Sequence, residues 1–105
     1  MAPKETIIQQ LETVFDPEFR VDVWNLGLVY GFEEEGADLN VKMTLTTPTC
    51  PAAGPILAEV KHKLSKVVEG EVKVNLTFEP PWRPEMITKK GRRMLPSAIV
   101  DFLEF

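Results

Sequence analysis

Apolar residues first appear in this chain at helical spacing. Ile7, Ile8, Leu11, Val14 and Phe15 recur every three or four positions, while Glu5, Gln9, Gln10 and Glu12 fill the other face. Pro3 suits the first turn of such a helix. Asp16-Pro17 stops it, because the residue before a proline avoids the α region. Val21 to Gly27 is apolar but irregular, and Asn25 and Gly27, which tolerate left-handed backbone angles, mark a turn. The period then falls to two. Leu28 to Phe32 is rich in aromatic and branched residues and predicts a strand. Glu33 to Ala37 reads as a solvated hairpin tip. Leu39, Val41, Met43 and Leu45 alternate with Asn40, Lys42, Thr44 and Thr46, the pattern of a half-buried strand.

Beyond Thr46 the helical period returns. Ile56, Leu57, Val60, Leu64, Val67 and Val68 form one stripe, with His62 on the solvent side. Two starts are open for this helix: Pro51 with Cys50 as cap, or Pro55 with Gly54 as cap. Glu69-Gly70-Glu71 ends it. Val72, Val74, Leu76 and Phe78 alternate with polar residues in a third strand. Pro80-Pro81-Trp82-Arg83-Pro84 is too proline-dense for helix or ladder and leaves the sheet extended, with Trp82 expected to be mostly buried. Thr88 can cap a short basic helix through Leu95, and Ser97 a last apolar turn.

The order is thus helix, strand, strand, helix, strand, short helices. The first two strands form a hairpin, and the helical crossover returns the third parallel to the second. The expected fold is α/β (α+β): a two-layer sandwich with a three-stranded mixed sheet and helices on one face. One domain spans residues 1–105, a length that supports a single modest core.

Composition narrows the function classes. A net charge of -4 argues against a nucleic-acid binder. One cysteine makes no internal disulfide, which points to a reducing compartment and a cytoplasmic protein. No apolar run is long enough for a bilayer, and Met1-Ala2-Pro3-Lys4 lacks the apolar core of a signal peptide.

The chemistry concentrates in Thr44-Leu45-Thr46-Thr47-Pro48-Thr49-Cys50-Pro51, between a strand and a helix. A thiol held there by prolines, near a helix start, has reason to ionise and to bind metals. A small buried thiol acting as a hydrophobe is the alternative. Asp16-Pro17-Glu18 sets two carboxylates on a turn, and local chemistry by itself favours a purely structural turn. Lys89, Lys90, Arg92 and Arg93 give the last helix a basic character that could dock an acidic partner.

Asp16-Pro17-Glu18, Asn25-Leu26-Gly27-Leu28-Val29-Tyr30, Met43-Thr44-Leu45-Thr46 with Cys50-Pro51, and Pro80-Pro81-Trp82 together resemble the SufT/PaaD-like family of iron–sulfur cluster assembly domains. That family was first catalogued as a domain of unknown function. The similarity runs from the first helix to about Leu95. It implies an accessory or carrier protein in metal–sulfur cluster biosynthesis, or in maturation of client enzymes, rather than an enzyme. The family's cysteine falls on Cys50, its acidic pair on Asp16 and Glu18, its threonine on Thr46, its tryptophan on Trp82 and its arginine on Arg92. Implied partners are an iron–sulfur scaffold or ATP-binding carrier protein and client apo-enzymes, with a homodimer possible. Pro55 and the apolar tail from Ala98 to Phe105 depart from the family pattern.

A cluster generally takes four ligands, and one chain offers one thiolate. Two chains share the iron–sulfur cluster or iron, or Asp16 and Glu18 contribute, or a partner completes the set; in each case binding is transient. Carboxylates suit iron better than soft metals, and the chain lacks the ligands of a structural zinc site. Two rivals remain: a thiol enzyme with Cys50 as nucleophile, His62 as base and Asp16 orienting it, and an interaction module with an inert Cys50.

Overall fold

The computed structural model describes residues 3–17, 19–46 and 53–96. Its elements are α1 (Lys4–Leu11), β1 (Val29–Glu35), β2 (Asp38–Met43), α2 (Ala53–Ser65), β3 (Val72–Leu76), a 3-10 turn (Pro84–Met86) and α3 (Lys89–Met94). The sheet order is β1-β2-β3, with β1 antiparallel and β3 parallel to β2. The expected two-layer architecture is the one observed.

One face of the sheet is dry. Leu39, Val41 and Met43 of β2 and Val72 of β3 are buried against Ile7 and Leu11 of α1 and Ile56, Val60 and Leu64 of α2. On the other face Lys42 and Asn75 are exposed and Asn40 is half-buried, as the period-two alternation requires. Removing a fully buried side chain such as Leu64 from this layer costs roughly 2–5 kcal/mol.

Four boundaries differ from expectation. First, α1 stops at Leu11, so Val14 is buried but Phe15 is 49% exposed and bridges to Asp22. The Thr13 hydroxyl donates to the Gln10 carbonyl at 2.6 Å, offering the chain a local bond in place of another helical turn. Second, Glu33–Glu35 belongs to β1 rather than to a loop, and Glu35 pairs with Asp38 across Gly36-Ala37. Gly36 has φ +62°, the angle a two-residue hairpin link demands at its first position. Third, α2 contains Gly54 and Pro55 in its first turn. The start with Gly54 as cap and Pro55 first is therefore not the observed one, and the alternative start at Pro51 lies outside the described residues; a proline is tolerated in the first turn because its amides have no intrahelical partner. Fourth, β3 ends at Leu76, which is 42% exposed.

His62 is exposed, as its helical phase predicts. Thr88 caps α3, its hydroxyl oxygen accepting from the Gly91 N–H at 3.0 Å. The expected last apolar turn from Ser97 lies outside the described residues.

Candidate functional site

Asp16 organises the turn after α1. Its Oδ1 accepts from the Phe19 N–H at 3.0 Å, and its carbonyl accepts from the Arg20 N–H at 2.8 Å. Arg20 takes φ +58°, and Asp16 is 1% exposed. Glu18 and Cys50 lie outside the described residues. Thr46 is half-buried just beyond the end of β2.

The turn is joined to the proline-rich segment through aromatic rings. Phe19 meets Trp82 edge-on, with centroids 5.4 Å apart and planes at 81°. The Trp82 indole N–H donates to the Leu26 carbonyl at 2.7 Å. Trp82 packs against the core with only a minor part exposed, as expected, and its ring edge and N–H also bridge two loops. The Tyr30 hydroxyl donates to the Pro80 carbonyl at 2.7 Å, and burial pushes its phenol above the usual range, a bond to Thr44 opposing that rise. The Thr44 N–H donates to the Leu28 carbonyl at 2.8 Å. Four segments far apart in sequence thus meet directly: Asp16–Phe19, Leu26–Tyr30, Met43–Thr44 and Pro80–Trp82.

Beside it lies a polar cluster that sequence reasoning missed. Asn25 is 4% exposed, and its Nδ2 donates to Glu12 Oε2 at 2.9 Å and to Asp22 Oδ1 at 2.9 Å. Its backbone N–H donates to Asp22 Oδ2 at 2.9 Å, and its Oδ1 accepts from the Thr88 hydroxyl at 2.7 Å. Lys90 donates to Glu12 Oε2 at 3.0 Å. The Asn25 hydrogen bond, then the Lys90 hydrogen bond and charge, hold the Glu12 carboxyl below its ordinary range against the opposing effect of burial. Lys90 makes this ion pair with its side chain 66% exposed. The sequence signals were faint: Asn25 was legible only as a turn residue, and Thr88 only as a cap.

Gly27 closes the frame. It has φ +82°, and a Cβ there would sit 2.5 Å from the Met86 carbonyl oxygen, so only glycine fits. Among the described residues no three histidines, cysteines or carboxylates gather as a metal site. No helix among them is long and apolar enough to cross a membrane.

Comparison with known proteins agrees with this geometry. Residues 4–76 match the model of the family described as iron-sulfur cluster assembly protein. The chain is 46% identical over 92 residues to the Fe-S protein maturation auxiliary factor of Porphyromonas gingivalis, covering 84% of this chain and 86% of the relative. It is 40% identical over 93 residues to the Fe-S protein maturation auxiliary factor YitW of Bacillus subtilis, covering 87% and 91%. Its fold resembles the crystal structure of a domain of unknown function, DUF59, from Bacillus anthracis, with TM-score 0.79 and 38% identity over 86% of this chain and 88% of that one. The described parts of the segments that carried the sequence resemblance are those the fold ties together, and the chain belongs to the iron–sulfur cluster assembly protein family.

Proposed function

We propose that this chain is an accessory carrier protein in iron–sulfur cluster assembly or in maturation of client enzymes, an assembly factor and not a catalyst. The observation that carries this reading is the family match over residues 4–76, joined to the meeting of the described parts of the four family-like segments around one frame. The cargo is a cluster or iron, held briefly. Cys50 is its thiolate ligand or sulfur carrier. Asp16 and Glu18 are the hard oxygen donors on the neighbouring turn, and Thr46 lines the approach. One thiolate and two carboxylates make an incomplete, exchangeable donor set, which suits transfer better than storage.

The second thiol comes from another chain: a scaffold or ATP-binding carrier on the donor side, an apo-enzyme on the acceptor side, or a second copy of this protein. A cytoplasmic setting fits, since reducing conditions keep Cys50 a thiol. A thiol enzyme using His62 finds no support in its exposed position on α2.

The test is Cys50→Ser in cells, with anaerobic reconstitution of the purified protein followed by absorbance and metal analysis. A hydroxyl is a poor ligand at neutral pH, so the variant should stay folded, lose iron or cluster uptake and fail to mature client enzymes. Normal client maturation in Cys50→Ser cells would leave an interaction module with an inert thiol.

A further inference from the structure

The outer side of β1 pairs with no strand among the described residues. Two grooves, of about 380 and 480 Å³, share Tyr30, Gly31 and Phe32; the first extends across the sheet over Asn40, Lys42 and Asn75, the second along the helix side of β1. They lie on opposite faces of the sheet. Gly31, Glu33 and Glu35 are registered with Lys42, Asn40 and Asp38 and so project to the polar face; Phe32 and Glu34, opposite Val41 and Leu39, project to the helix side. On the helix side the rings of Trp24 and Phe32 stand 6.4 Å apart, both half-buried, and Lys4 closes the groove.

Gly31 has a negative φ, and no atom lies within 4 Å of where its Cβ would be. Gly31 follows the register shift after Val29, and neither a left-handed angle nor packing requires glycine there. A missing side chain on an edge strand clears the path for another backbone to approach. The charge selects which backbone. Glu33, Glu34 and Glu35 make no ion pair among the described residues. A second copy would bring its own three glutamates to an already acidic edge, a use of charge that blocks self-pairing. A basic strand meets no such barrier.

We propose that an extended, lysine- or arginine-bearing segment of a client protein adds to the free edge of β1 as a fourth strand. The identity of the partner rests on the carrier reading above; the geometry of the edge does not. Main-chain hydrogen bonds hold the segment, and its alternate side chains lie on opposite faces of the sheet, those on the helix side entering the groove lined by Trp24 and Phe32. Residues opposite Glu33 and Glu35 are basic. The intervening residue, on the helix side, is aromatic or branched and rests against Trp24 and Phe32.

The test titrates the ¹⁵N-labelled full chain with acetyl-Lys-Phe-Lys-Val-Lys-amide, using acetyl-Glu-Phe-Glu-Val-Glu-amide as control. The lysine peptide should shift the amides from Gly31 to Glu35 and the Trp24 indole, increasingly so at low salt, and the glutamate peptide should not. Glu33→Lys with Glu35→Lys should weaken binding about tenfold or more, and the milder Glu33→Gln with Glu35→Gln should weaken it less. Cys50→Ser should bind as the parent does, so loss of the carrier reading leaves this readout intact. The edge site is overturned if shifts fall elsewhere, or if charge reversal changes nothing. It is equally overturned if the same amides report a concentration-dependent dimer, or contacts from residues 97–105 without peptide. Normal client maturation in Glu33→Lys, Glu35→Lys cells would overturn the client as the occupant.

Discussion

Thr88 donates to Asn25 twice, from its hydroxyl to Oδ1 at 2.7 Å and from its backbone N–H to the carbonyl at 2.8 Å. The cap of the last helix is thereby locked to the turn that precedes β1, and Gly91 packs where any Cβ would lie 2.7 Å from the Asn25 carbonyl oxygen. Asn25→Ala removes the group that joins Glu12, Asp22 and Thr88. Because it leaves buried partners without their bonds, it should destabilise the protein by about 3 kcal/mol. Urea unfolding checks this; a loss under about 0.5 kcal/mol would mean that solvent replaces Asn25 freely.

Acid should act on the same cluster. The Glu12 carboxyl is held below the ordinary glutamate range in the folded state, first by the Asn25 hydrogen bond and then by Lys90. A depressed carboxyl stabilises the fold above its unfolded pKa and loses that contribution as pH falls through the folded one. Glu12→Gln should therefore be less stable than the parent at neutral pH, the difference shrinking below about pH 4.5. Lys90→Met should move the Glu12 titration, followed by NMR, back upward. A Glu12→Gln deficit independent of pH would assign its role to shape rather than charge.

Trp82 separates two contributions cleanly. Trp82→Phe keeps an aromatic ring beside Phe19 but loses the bond to the Leu26 carbonyl, for a cost of about 1 kcal/mol. Trp82→Ala loses both; since a minor part of the side chain is exposed, the cost should be about 3 kcal/mol, the lower end of the range for core aromatics. Thermal unfolding of the pair decides it. Equal losses for both variants would place the whole effect in the hydrogen bond.

Two glycines should behave oppositely. Gly27→Ala meets a left-handed φ and the Met86 backbone, and should cost more than about 2 kcal/mol. Gly31→Ala meets open space in a strand, and should be neutral or stabilising by about 0.5 kcal/mol. Denaturant midpoints of both variants give the comparison directly.

Most of the sheet and helix order was legible because one face of each element is dry: β2 could be read from Leu39, Val41 and Met43 without any partner. Errors fell where long-range pairing overrode local character. Glu33–Glu35 looks like a loop by charge, yet the ladder to Asp38–Asn40 makes it strand. Phe15 fits the helical stripe, yet a helix that ends at Leu11 leaves it outside. Within the site, the Asp16 turn and the glycine of Asn25-Leu26-Gly27 were readable from local chemistry. The Asn25 cluster was not, since Glu12 and Lys90 are 78 positions apart and no spacing rule links them. For Cys50 and Glu18 the residue types and family pattern carry the assignment, and experiment on those side chains tests it.

The latch between Glu12, Asn25, Thr88 and Lys90 also sets an order in time. A ribosome makes α1 and the Asn25 turn early and their partners late, with the cysteine loop in between. The first helix must therefore wait, its Glu12 and Asn25 groups hydrated, until the last one exists to receive them. Domains generally complete their folding as units, and here completion is signalled by the two ends of the frame meeting. A chain interrupted before Thr88 would leave Glu12 and Asn25 without the partners that close the frame, so the contact that stiffens the mature protein is one an unfinished chain lacks.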